Sequence, residues 1–87
     1  NDTHCSHFYI MEILLLKEFG KHLKSIRTDK GLSQTELAFK GDFDRNYIGM
    51  LERGERNPSL KNLQRLSDAL EIPLCKLTNF ANNDKCK

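Results

Sequence analysis

Asp44-Arg45-Asn46-Tyr47 places a guanidinium, a carboxamide and a phenol in a row behind a short acidic side chain. Arg offers its N–H donors in a flat fork, and Asn carries a donor and an acceptor side by side, so both suit planar partners with two hydrogen-bonding positions. Asp44 is an N-cap, able to accept from the free amides of a new helix. The polar row therefore rides on the first helical turn, while Ile48 and Leu51 turn the opposite side inward. Gly49 within this run reads as room for close approach to the helix backbone. No Ser, Cys or His has a base or orienting partner in sequence, and there is no Gly-rich phosphate loop, so no catalytic residue is assigned. His4, Cys5 and His7 are metal-ligand types without a fourth ligand spaced to close a site, so no metal or cofactor is expected.

The elements that must position this row are helices. Leu16, Phe19, Leu23 and Ile26 recur at steps of three and four from about Glu12 to Lys30, with lysines between them, and Gly31 ends the run. His22 falls among those lysines and is expected to face solvent. Ser33-Gln34-Thr35-Glu36 has capping-box spacing, so a short second helix starts at Gln34 and buries Leu37 and Ala38. Gly41-Asp42 stops it, and Phe43 plugs the corner before the third helix, Arg45 to about Arg53, which Gly54 terminates. Arg45, Asn46, Gly49, Met50 and Arg53 share its outer face. Ser59 caps a fourth helix with a core stripe of Leu60, Leu63, Leu66 and Leu70, and Pro73 opens a last short one carrying Leu74, Leu77 and Phe80. The expected fold is an all-α, five-helix domain over 12–80. A flexible tail or expression remnant is expected over 1–11 and a polar tail over 81–87.

Composition narrows the function classes. Eighty-seven residues make one small domain whose apolar inventory must enter one core, leaving little for a ligand cavity, so no small-molecule ligand is expected. No apolar run is long enough to span a membrane, and no basic segment marks a signal peptide. Cys5, Cys75 and Cys86 form no C-x-x-C pair and read as free thiols, which together with the lack of a span points to the cytoplasm. Lys and Arg number 14 against 12 Asp and Glu, a net charge of +2, so any case for nucleic acid rests on placement.

Placement makes that case. Two short helices joined by a tight turn, the second with a polar front end, are the parts of a helix-turn-helix, whose second helix enters the major groove of duplex DNA. Over Phe19 to Leu77 the chain resembles the phage-repressor, or Xre-type, family, whose fold is lambda-repressor-like. The resemblance rests on Ile26-Arg27, Gly31-Leu32-Ser33-Gln34, Glu36-Leu37-Ala38, Ile48, Glu52-Arg53-Gly54, Asn57-Pro58-Ser59-Leu60, Leu63 and Ala69-Leu70. Asp44-Arg45-Asn46-Tyr47-Ile48 followed by Glu52-Arg53-Gly54-Glu55-Arg56-Asn57 is similar to restriction–modification controller proteins.

The resemblance implies roles residue by residue. Arg45 and Asn46 match base-reading positions, where Arg forks onto guanine and Asn pairs with adenine. Tyr47 matches a position at the groove edge, and Met50 replaces a frequent polar reader with an apolar contact. Gln34, Arg56, Asn57 and Ser59 match phosphate-holding positions, and Arg27 and Glu52 match a pair joined between the first and third helices. At the turn, Asp42 stands where the family often has Gly, a substitution that Asp tolerates better than most residues.

Ile72, Leu74, Leu77 and Phe80 are either the lid of the monomer core or half of a dimer interface, and both roles can hold at once. The family commonly dimerises through its last helix, which the resemblance carries over. The reading is thus a homodimeric, non-enzymatic regulator on a palindromic DNA operator. The alternative is a protein-interaction module such as a DNA-binding antitoxin.

Overall fold

The computed structural model describes the backbone of residues 2–80 and the side chains of 10–80. Five helices follow in order: α1 Asp2–Asp29, α2 Gln34–Gly41, α3 Arg45–Glu52, α4 Leu60–Leu70 and α5 Leu74–Thr78, with no strand among the described residues. The sequence chemistry sets their limits. Gly31 and Gly54 take left-handed backbone at φ 73° and 77° after α1 and α3. Ser33 and Glu36 close the capping box of α2, with Glu36 N–H to Ser33 Oγ at 3.0 Å and Ser33 N–H to Glu36 Oε1 at 2.8 Å. Asp44 Oδ1 accepts from Asn46 N–H at 3.0 Å at the head of α3, and Ser59 Oγ from Asn62 N–H at 3.1 Å at the head of α4.

All five helices meet in one core. Leu23 of α1, Leu37 of α2, Ile48 and Leu51 of α3, Leu66 and Leu70 of α4, and Leu77 of α5 are fully enclosed. Each such side chain contributes about 1.5–3 kcal/mol, so the set outweighs any single polar contact. α1 packs on α3 and α5, α2 on α3 and α4, and α4 on α5.

Several expectations need correction. α1 is helical from Asp2, well ahead of Glu12, so helix occupies most of the stretch expected as a flexible tail; no Gly or Pro interrupts it before Gly20, and propagation is cheap once later turns are anchored. The tail expected over 81–87, and the side chains of His4, Cys5 and His7, lie outside the described residues. Leu60 is 73% exposed, because it occupies the first position of α4, one turn short of where the core begins. His22 is half-buried, its Nε2 2.9 Å from the Lys76 carbonyl oxygen, since α5 folds back over this part of α1. Cys75 is disulfide-bonded, where free thiols were expected; tertiary proximity decides pairing, and spacing along the chain does not show it.

Two contacts hold α3 against α1. A Cβ on Gly20 would stand 2.4 Å from the Glu52 carbonyl oxygen and 2.6 Å from that of Leu51, so only glycine lets the end of α3 lie directly on α1. Beside it, Arg27 grips the Glu52 carboxylate in a bidentate pair, Nε to Oε2 at 2.6 Å and Nη2 to Oε1 at 3.1 Å, with both side chains under 10% exposed. Arg27 Nη1 also donates to the Leu32 carbonyl at 2.8 Å. Desolvation offsets much of such a pair's attraction, but leaving one charge buried alone is costly.

Gly20→Ala is expected to lower stability by about 1–3 kcal/mol through overpacking, although helix propensity alone favours Ala; a urea midpoint that holds or rises would show that α1 and α3 are not seated this closely. Glu52→Gln is expected to cost about 3 kcal/mol or more in the same titration. Adding Arg27→Met to that variant is expected to restore part of the loss by removing the stranded charge.

Candidate nucleic-acid interface

α3 presents two unlike faces. Ile48 and Leu51 are fully enclosed, which leaves Arg45 and Asn46 exposed on the first turn, with Met50 half-buried one turn further on. Capping by Asp44 fixes where that turn begins, and therefore the direction in which Arg45 and Asn46 project. A guanidinium and a carboxamide so placed can enter a groove and meet base edges with paired hydrogen bonds.

The neighbouring residues are more constrained. Tyr47 is half-buried, its ring stacked on Phe43 at 5.5 Å with 20° between planes, and its hydroxyl oxygen accepts from Asn62 Nδ2 at 2.9 Å. Arg56 returns from the α3–α4 loop to lie over the Tyr47 ring as well, its guanidinium carbon 5.7 Å from the ring centre. The structure thus joins Tyr47 and Arg56, from two of the expected contact groups, into one surface beside the start of α3. Asn57 is exposed in the same loop, and Ser59, already the acceptor that caps α4, keeps its hydroxyl proton for another partner.

Gln34 faces inward as much as outward. Its Nε2 donates to Glu52 Oε1 at 3.0 Å, making it the third member of the Arg27–Glu52 group and tying the start of α2 to the end of α3. Gly49 also has a different role from the expected one. It is buried, and a Cβ there would meet Arg53 Nη1 at 3.2 Å and Gln34 Oε1 at 3.8 Å. The missing side chain makes room for the protein's own Gln34 and Arg53; it does not open the helix backbone to an approaching ligand.

At the far end of α3, Arg53 donates to Glu55 through Nε at 2.9 Å and Nη2 at 3.2 Å. This hydrogen bond is the main cause holding the Glu55 carboxyl below the usual carboxylate range, with the charges of Arg53 and Lys17 adding to it, and Glu55 raises Arg53 in return. Because the Glu55 pKa is depressed, the pairing is present above the ordinary carboxylate value and is lost as pH falls through the lowered one. Both groups are open to solvent, so the pair orients Arg53 more than it stabilises the fold.

The expected dimer set divides. Ile72, Leu74 and Phe80 are half-buried, with the Phe80 ring edge-on to Phe19 at 5.7 Å and 6.0 Å from His22. Leu77 is fully enclosed within the protomer, so it cannot meet a second chain; it is the residue by which α5 enters the core. Sequence reasoning also passed over Arg65 and Asn62 on α4. Nothing local marks them, because their partners lie more than a dozen residues away in the α2–α3 turn and the first turn of α3.

The helix-turn-helix family HTH_3 matches residues 23–77. Control protein C.BamHI of Bacillus amyloliquefaciens is 40% identical over 70 residues, covering 79% of this chain and 86% of that protein. Control protein C.MunI of a Mycoplasma species is 45% identical over 60 residues, covering 68% and 81%. Among solved structures, the restriction-modification controller protein C.AhdI of Aeromonas hydrophila superposes with a TM-score of 0.70 at 50% identity, over 71% of this chain and 94% of its own. The matched span takes in α2, its turn and α3 together with the α4 that braces them, and on these grounds the chain belongs to the helix-turn-helix family.

Proposed function

We propose that this protein is a sequence-specific transcription regulator of the restriction–modification controller type, which occupies a palindromic DNA operator as a homodimer. The observation that carries the reading is the exposed Arg45–Asn46 pair at the capped start of α3, on a helix whose opposite side is enclosed by the core. The relatives named as control proteins support the controller role. In this reading Arg45 and Asn46 read bases, Tyr47 and Met50 line the groove edge, and Arg56, Asn57, Ser59 and the outward side of Gln34 hold phosphates. Regulation comes from occupancy alone and requires no catalytic group. No described helix is long and apolar enough to cross a membrane.

The half-buried residues of the last segment support the dimer reading. Ile72, Leu74 and Phe80 leave part of their surface uncovered in the protomer, and a twofold contact across them sets two recognition helices roughly 34 Å apart, one turn of DNA. An inverted pair of half-sites then matches the symmetry of the protein.

Selection of bound duplexes from a random pool is expected to return two inverted half-sites. Arg45→Ala is expected to cost about 1–3 kcal/mol on the selected duplex and to relax one base position, whereas Arg56→Ala is expected to weaken all duplexes alike and reduce the salt slope by about one. A pool with no preferred sequence would refute the base-reading assignment. Sedimentation should show a dimer that Leu74→Glu converts to a folded monomer; that variant should bind a single half-site as well as its parent protomer does and lose the gain from the second half-site. A Leu74→Glu protein that stays dimeric would place the interface elsewhere.

A further inference from the structure

A half-buried arginine on α4 sits where it can govern the recognition helix without reaching DNA. Arg65 Nη2 donates to the carbonyl oxygens of Gly41 at 2.9 Å and Asp42 at 2.6 Å, and its guanidinium lies 4.4 Å from the centre of the Phe43 ring. It thereby grips three consecutive residues of the helix-turn-helix turn. Gly41 ends α2, so its carbonyl is among those left without a helical partner, and a cation is favourable there. Asp42 takes left-handed backbone at φ 61°, a conformation disfavoured for residues with a side chain. A second donor on its carbonyl helps to hold that conformation.

The grip extends into α3. Arg65 Nη1 donates to Asn62 Oδ1 at 3.3 Å, Asn62 Nδ2 donates to the Tyr47 hydroxyl, and the Tyr47 ring stacks on the same Phe43 that lies against Arg65. Four side chains close a loop from α4 to the turn, to the first turn of α3, and back. With its oxygen accepting from Asn62, the Tyr47 hydroxyl keeps its own proton to donate away from α4.

We propose that Arg65 is a positioning residue for DNA recognition: it clamps the α2–α3 turn and, through Asn62, orients the Tyr47 phenol as an outward donor beside Arg45 and Asn46. The proposal rests on the DNA-reading role given above. It asks of Arg65 what Lys cannot supply, a planar group whose Nη2 meets both carbonyls and whose Nη1 reaches Asn62 while its face lies on an aromatic ring.

The test uses the full chain, the duplex that the wild-type protein selects from a random pool, and a scrambled duplex of equal length. Arg65→Lys keeps the charge, and it is expected to weaken binding to the selected duplex about tenfold while leaving scrambled-duplex affinity and the salt slope unchanged. Unchanged affinity for the selected duplex would overturn the proposal. An equal loss on both duplexes, or a slope reduced by about one, would do so too, as the mark of a direct phosphate contact. Should Arg65→Lys fail to melt cooperatively above the assay temperature, a second arm decides. Asn62→Ala is expected to weaken selected-duplex binding about threefold in the wild-type background and to have no effect once Tyr47→Phe is present; additive losses would sever the link from α4 to Tyr47. A wild-type protein that selects no sequence would refute the base-reading function itself, and this proposal with it, whatever Arg65→Lys does.

Discussion

Glu52 is the constraint on which the rest depends. A carboxylate held almost out of water must be met by donors, and here three atoms from two helices meet it: Arg27 Nε and Nη2 from α1, and Gln34 Nε2 from α2. Because Glu52 is the last residue of α3, those bonds fix the end of the recognition helix relative to both helices that precede it. Gly20 brings the α1 backbone up to the same point, and the core residues Ile48 and Leu51 fix the rotation of α3 about its axis. The ion pair adds little net stability of its own once desolvation is counted; burial of the leucines supplies that. Its effect is on geometry, which a core of similar aliphatic side chains specifies less sharply.

The start of α3 is held by different means. Asp44 caps it, and the Phe43–Tyr47 stack with Asn62 and Arg65 behind it joins it to α4. So the recognition helix is pinned at both ends and along its inner face, while Arg45 and Asn46 remain exposed between those restraints. A side chain that reads a base edge gains from a backbone that does not have to be ordered on binding, since ordering would be subtracted from the affinity. Tyr47 stands at the border between the two roles, with one side of its ring used by the protein and its hydroxyl proton left over.

What could be read from the sequence was whatever is decided locally. The capping box at Ser33–Glu36, the N-caps at Asp44 and Ser59 and the stop at Gly31 all depend on partners within a few residues, and they place α2, α3 and α4 within a residue or so of the observed limits. Asp42 was legible for the same reason, as a residue tolerant of the left-handed turn that it occupies. The Arg27–Glu52 contact is long-range and was available only through resemblance to a family; periodicity alone puts Glu52 on the inner face without naming what meets it. Apart from the early start of α1, the misreadings are tertiary. Leu60 and Leu77 have the same chemistry and helical spacing, yet one projects beyond the core and the other is sealed inside it. Gly49 was read as open towards a ligand because nothing in the sequence says that Gln34 and Arg53 converge on that spot. Arg65 had no signal at all, since the carbonyls it binds are backbone atoms that every residue possesses.

The use made of the arginines bears on how tightly such a protein can hold DNA. Of the five in the chain, Arg27 is buried on Glu52, Arg65 is engaged with the turn, and Arg53 is drawn to Glu55, which leaves Arg45 and Arg56 as the guanidinium groups free to face a duplex. With a net charge of only +2, the long-range attraction of the whole chain for a polyanion is small. On the proposed reading, a single protomer brings only these two guanidiniums to one half-site. In the dimer proposed above, joining two half-sites makes the second binding event intramolecular, so that it multiplies the first. On that proposal the regulator would respond to its own concentration more steeply than a monomer, because both dimer formation and operator occupancy would rise with it. That steepness would follow from guanidinium groups being used within the fold to aim α3, Arg27 on Glu52 and Arg65 on the turn.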